Sequence, residues 1–162
     1  DRKRTLAALW DACQKITDAL LLIIIHPEED VEDIKQCLPD PIGSKLRYIS
    51  HRSSLQILKA SDTAVTLHSS AGLEAILAGC PLITLNLTGR PDPVPYTEGG
   101  ASLGVTDTKE LLFTLKQTLF DERCRQGLKQ GRQYFLKHFF YQPPEGATKK
   151  IAEYLEKVCG GS

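Results

Sequence analysis

The chain has 162 residues, with 20 Lys+Arg balanced by 20 Asp+Glu. That length suits one domain with a single sizeable core, and 41% hydrophobic with 25% charged residues excludes a disordered or fibrous chain. Zero formal net charge removes any bulk attraction to nucleic acid or to an anionic membrane, so a partner must be sought at a local site.

The longest apolar run, Leu20 to Ile25, is far too short to span a bilayer, and the residues ahead of it do not read as a secretory leader, so none is expected. The sequence contains no Met, and a helical pattern begins at once with Leu6, Leu9, Trp10, Cys13 and Ile16. Together with the linker-like ending Gly160-Gly161-Ser162, this reads as a domain of residues 1–159 cut from something larger. The cysteines, Cys13, Cys37, Cys80, Cys124 and Cys159, are scattered and have no C-x-x-C spacing, so they read as reduced packing thiols of a cytoplasmic protein. His26, His51, His68 and His138 show no i,i+4 pairing, so no metal site is expected.

Taken in order, the periodicity predicts a helix over 4–19 and then Leu20-Leu21-Leu22-Ile23-Ile24-Ile25, apolar at every position. Such a run is the pattern of a strand buried on both faces, as in a parallel sheet covered by helices. His26-Pro27 stops it, a short helix runs from Asp30 to about Leu38, and 39–44 is a loop by composition. A strand over 46–49, a helix over 53–60 and a strand over 64–67 follow. The next helix, 70–78, is ended by Gly79 with Pro81 just beyond. A buried strand over 81–87 leads to a Pro/Gly-rich loop over 88–100, a short strand over 102–105, and helices near 107–119, 121–141 and 145–158. Strict alternation implies right-handed βαβ units on one parallel sheet, a Rossmann-like three-layer α/β domain. Ligands of such sheets bind beyond the carboxyl ends of the strands, which directs attention to the loops after Ile25, Ile49, Leu67 and Leu87.

The most informative segment runs from Thr66 to Pro81. A buried strand enters the small-residue turn Ser69-Ser70-Ala71-Gly72, which opens a helix. The first amides of a helix lack partners within it, and its dipole favours negative charge there. The small side chains let a phosphate approach the backbone, and Glu74, one turn in, is placed to accept hydrogen bonds from a ribose hydroxyl pair. The other reading is an ordinary βα turn with an exposed Glu. Neither a Walker G-x-x-x-x-G-K-S/T nor a dinucleotide G-x-G-x-x-G is present, and no G-x-S-x-G elbow supports a hydrolase.

The block Ser69 to Ile83 resembles the C-terminal half of GT-B-fold enzymes, the two-Rossmann-domain glycosyltransferases and the related UDP-N-acetylglucosamine 2-epimerases. The resemblance extends over roughly Leu21 to Leu155, with His26-Pro27 and the ending Tyr141-Gln142-Pro143-Pro144-Glu145-Gly146-Ala147 among its features. It implies that Ser69, Ser70, Ala71 and Gly72 hold a nucleotide diphosphate and that Glu74 holds the ribose. Ser50 and His51, after the second strand, correspond to the segment that reads the base edge. The loop Thr88-Gly89-Arg90-Pro91-Asp92 resembles the Thr-Glu-Arg-Pro-Glu loop of the 2-epimerases, with Gly89 in place of Glu. Arg90 is then a candidate phosphate or sugar contact, Glu98 lies where the donor sugar would be approached, and His26 either faces the cleft or is a turn residue. The aromatic stripe Tyr134 to Tyr141 reads as core or as a docking face for an absent N-terminal Rossmann domain.

The resemblance implies a donor-binding half of a glycosyltransferase that uses a UDP-sugar as substrate, without a further cofactor, in glycan, lipopolysaccharide or glycolipid synthesis. The general base would come from the N-terminal half, and the full-length enzyme would be cytoplasmic or peripheral to a membrane. An epimerase-like isomerase and a non-catalytic nucleotide-binding module are the alternatives.

Overall fold

Alternating apolar periodicities of helix and strand become, in the computed structural model, seven helices and five strands among the residues described: 2–26, 28–38, 45–50, 54–67, 69–139 and 147–159. They run α1 (Arg2–Gln14), β1 (Leu21–Ile25), α2 (Val31–Lys35), β2 (Leu46–Ser50), α3 (Ser54–Ala60), β3 (Ala64–Thr66) and α4 (Ala71–Ala78). Then follow β4 (Leu82–Leu85), β5 (Ser102–Val105), α5 (Thr108–Phe120), α6 (Glu122–Phe139) and α7 (Ala147–Cys159). Helix ends use local chemistry. Asp30 and Asp107 cap α2 and α5 by accepting from the Glu32 and Lys109 amides, and α4 stops at Gly79 in the left-handed conformation.

Among the described residues all strand pairings are parallel, as expected, but the hydrogen-bonded sheet is divided. β1 pairs with β2 in the register Leu21↔Leu46 to Ile25↔Ser50, and β3, β4 and β5 form a separate triplet. The expected single sheet is corrected to two hydrogen-bonded groups among the described residues, with the three-residue β3 laddered along β4. Ile24 of β1 and Ala64 of β3 instead pack against one shared apolar cluster.

The layering is clearest at β4, where all four residues are buried. Ile83 and Leu85 pack with Leu9, Ala12 and Ile16 of the α1 segment, Val105 of β5 and Leu111 and Leu115 of α5. Leu82 points to the opposite face, into Leu58 of α3, Ala75 and Ile76 of α4, Tyr96, and Phe135 of α6. Alternation along the strand thus feeds two cores, one on each side of the sheet. At roughly 1.5–3 kcal/mol per fully buried large apolar side chain, this strand anchors both layers. A third cluster joins Leu6 and Trp10 of α1 to Ile34, Leu38 and Leu46.

β1 departs from its expectation of full burial, since every residue in it is only half-buried. Leu21, Ile23 and Ile25 face the third cluster while Ile24 faces the second, so both faces are used but neither is fully covered. The aromatic stripe of α6 also divides. Phe135 is buried against Tyr96 with ring centroids 5.4 Å apart, while Tyr134 and Phe139 remain exposed. Pro27, the 39–44 loop and the segment 140–146 lie outside the described residues. No described helix is long and apolar enough to cross a membrane.

All five cysteines are free. The buried Cys80 thiol donates to the Ser61 carbonyl at 3.5 Å, and burial pushes its pKa from the ordinary 9.0 up to about 11, against the pull of Arg132. Folded and unfolded chains both keep this proton below pH 9.0, and above it the unfolded chain releases the proton first. Stability is therefore expected to fall between pH 9.0 and about 11. Urea unfolding across that window should show a shallower fall in Cys80→Ala than in the parent chain, and parallel pH profiles would refute this assignment.

Candidate functional site

β3 and β4 run parallel in the register Ala64↔Leu82 to Thr66↔Thr84, so the segments that follow them emerge at the same edge. After β3 comes the turn into α4; after β4 comes the 88–100 loop. This carboxyl edge is where an open parallel sheet presents a ligand site.

The turn is already wound before α4 begins. Ser70 has helical dihedrals (φ −57°, ψ −18°) and makes no side-chain capping bond. Ser69 Oγ accepts from the Ala71 amide at 3.1 Å, while the Gly72 and Leu73 amides reach the Ser69 and Ser70 carbonyls at 3.1 and 2.9 Å. The amides at 71–73 thus find their partners in the tight turn that precedes the helix. An anion here would gain the helix dipole at once, and the Ala71 amide once Ser69 Oγ turns aside. Ser69, Ser70 and Ala71 are exposed, so backbone access is open.

Gly72 is required by close approach. A Cβ there would lie 2.7 Å from Cε2 and 2.9 Å from Cζ of Tyr96, with Thr66 Cγ2 at 3.3 Å behind it. The Tyr96 ring thus rests against the turn, and its hydroxyl donates to the Ser69 carbonyl at 3.4 Å. Burial raises the Tyr96 pKa, an effect opposed by a hydrogen bond from the Leu73 backbone.

Glu74, on the first turn of α4, is half-buried and accepts from Ser54 Oγ through Oε2 at 2.8 Å. Ser54 opens α3, just beyond the base-edge candidates. Of these, Ser50 closes β2, and His51 lies outside the described residues, as does His68 beside the turn.

Arg90 sits on a loop organised by Asn86, a buried residue immediately after β4. Asn86 Nδ2 donates to the Arg90 carbonyl and to Asp92 Oδ1, both at 2.7 Å. Its Oδ1 accepts from the Thr88 amide at 3.1 Å and the Thr88 hydroxyl at 2.7 Å. Both amide protons and both carbonyl lone pairs are thereby used. The Arg90 amide in turn donates to Thr88 Oγ1 at 3.2 Å, and the Arg90 side chain is exposed. The far end of the loop is closed by hydroxyls. Thr84, Thr97 and Ser102 form a triangle with O···O distances of 2.8, 3.0 and 3.2 Å.

Two candidates stay peripheral in their bonding. Glu98 is exposed. His26 is bonded within its own turn, its amide donating to Glu29 Oε2 at 3.2 Å and its Nδ1 accepting from the Glu28 amide at 3.3 Å. Among the described residues no group of three or more His, Cys, Asp or Glu is gathered for a metal ion.

Ser54, Asn86 and Tyr96 were missed in the sequence. Asn86 had a local signal, an Asn between a strand and a Gly/Pro-rich segment, which favours an Asx turn. Tyr96 is the one aromatic residue between Tyr48 and Phe113, an oddity within a Pro/Gly-rich loop. Nothing local singles out Ser54.

No protein-family model matches the chain, and a search of curated proteins finds no relative. Among solved structures, the chain is similar to the glycosyltransferase SnogD from Streptomyces nogalater, at 18% identity and a TM-score of 0.64. That likeness covers 90% of this chain and 38% of SnogD, so the chain spans well under half of that protein's length. It establishes a glycosyltransferase-like α/β fold.

Two outcomes are expected of the loop and the turn. Asn86→Ala removes the bonds from Nδ2 to the Arg90 carbonyl and Asp92 Oδ1 and should cost about 1–3 kcal/mol, with faster hydrogen exchange at the Thr88 and Arg90 amides. Gly72→Ala drives a methyl into the Tyr96 ring and should lower stability by about 1–3 kcal/mol in urea unfolding. A neutral result at either position would contradict the geometry described.

Proposed function

We propose that this chain is the donor-binding half of a GT-B-type glycosyltransferase and that it holds a nucleotide sugar, a UDP-sugar, at the carboxyl edge of β3 and β4. The observation that carries the proposal is the convergence at that edge of a small-residue helix entrance and a half-buried Glu74 one turn inside it. The diphosphate lies at Ser69–Gly72, the ribose at Glu74, and the base at the end of β2 near Ser50 and His51. Arg90 offers a planar cation to the phosphate or sugar.

Catalysis in this reading is electrostatic. The α4 dipole and Arg90 stabilise charge that builds on the departing diphosphate, and Glu74 fixes the ribose so that the sugar is oriented. The acceptor-activating base comes from the other half of the enzyme, so the 162-residue chain alone has little or no turnover. No cofactor beyond the donor enters the reading.

An isomerase of the 2-epimerase type is the second reading, and the likeness of Thr88-Gly89-Arg90-Pro91-Asp92 to the Thr-Glu-Arg-Pro-Glu loop of that group favours it. Against it, Gly89 occupies φ 69°, where a glutamate would be strained, so this loop is built for glycine. A module that kept the fold without the chemistry is the third.

Calorimetric titration with UDP, GDP, CMP and UDP-N-acetylglucosamine tests the proposal. UDP and its sugar are expected to bind in preference to the others, with Glu74→Ala weakening UDP by about tenfold or more. No affinity for any nucleotide, or affinity untouched by Glu74→Ala, would favour the non-catalytic module.

A further inference from the structure

We infer that Ser54 is a positioning residue for Glu74, and that the pair makes this site prefer ribonucleoside over 2′-deoxyribonucleoside diphosphates; this rests on the nucleotide reading above. Ser54 and Glu74 stand 20 residues apart on different helices, and their 2.8 Å bond joins the start of α3 to the first turn of α4. A serine hydroxyl has one proton to donate, and Ser54 gives it to the carboxylate rather than to a group of its own helix. The bond occupies Oε2 and leaves Oε1, together with the second lone pair of Oε2, for incoming donors.

A vicinal diol asks for an acceptor pair of fixed orientation. A glutamate free in all its rotamers loses that freedom on binding, at a cost that grows with the number of torsions frozen. Ser54 removes much of this loss beforehand, because a hydrogen bond to a charged acceptor is short and directional. The gain is realised in full only when both ribose hydroxyls are present. A 2′-deoxyribose has one hydroxyl to offer and draws less from the oriented carboxylate.

The helices do not need this bond to stay together. Leu58 of α3 and Ala75 and Ile76 of α4 are buried in one apolar cluster, which fixes α3 against α4 independently. Loss of the hydroxyl should therefore alter ligand selectivity more than folding.

The test is calorimetry with UDP and 2′-deoxy-UDP on the parent chain, Ser54→Ala, Ser54→Thr and Glu74→Ala, with thermal unfolding alongside. Ser54→Ala should weaken UDP by about fivefold to tenfold and 2′-deoxy-UDP by less than about twofold, with the unfolding midpoint nearly unchanged. Ser54→Thr, which keeps the hydroxyl, should restore the preference. Equal weakening of both nucleotides, or no change in Ser54→Ala while Glu74→Ala loses UDP, overturns the positioning role alone. A parent chain that binds neither nucleotide overturns the nucleotide reading and this inference with it.

Discussion

Burial of β4 on both faces is the constraint from which the rest of the architecture follows. Four consecutive buried residues leave no side for water, so helices must cover the sheet twice over. Ile83 and Leu85 recruit α1 and α5; Leu82 recruits α3, α4 and α6. Parallel pairing on both edges of β4 then sends the chain back through crossovers and gathers the strand ends at one edge. The candidate site lies there because the topology leaves its loops nowhere else to emerge.

Polar groups at that edge are held by a few saturated residues rather than by many weak contacts. Asn86 uses its full bonding capacity on the start of the loop, and the Thr84–Thr97–Ser102 triangle secures the end. Tyr96 ties that loop to the α4 entrance through its ring on Gly72 and its hydroxyl on Ser69. Pairing of this kind lets polar residues sit beside an apolar cluster without an uncompensated desolvation cost. It also links two segments that sequence places far apart, so that one cannot shift without disturbing the other.

Much of the fold was legible because its signals are local. The helix over 70–78 ending at Gly79, a buried strand within 81–87 and helices beginning near Asp30 and 107 follow from periodicity and end chemistry alone. What was not legible depends on distance. The apolar run Leu21–Ile25 shows that both faces of β1 are used, but the extent of their cover is decided by neighbours the run does not encode. Which strands pair is a matter of contacts distant in the chain, and the two groups β1–β2 and β3–β4–β5 are not marked in the sequence. The amides of 71–73 lack partners within the helix, but which groups of the preceding turn engage them, a serine side chain and two carbonyls, is not written in the periodicity. Ser54 makes sense only once α3 and α4 are side by side, 20 residues apart in the chain.

The bonding of Asn86 separates a holder from what it holds. It grips residue 90 by the backbone carbonyl, and Thr88 grips the same residue by its amide, while neither touches the guanidinium. The side chain at that position can therefore be exchanged during divergence without loosening the loop beneath it. A scaffold of this sort can keep its shape while descendants carry different charges at its tip, so the chemistry of the tip and the loop architecture can evolve on separate schedules.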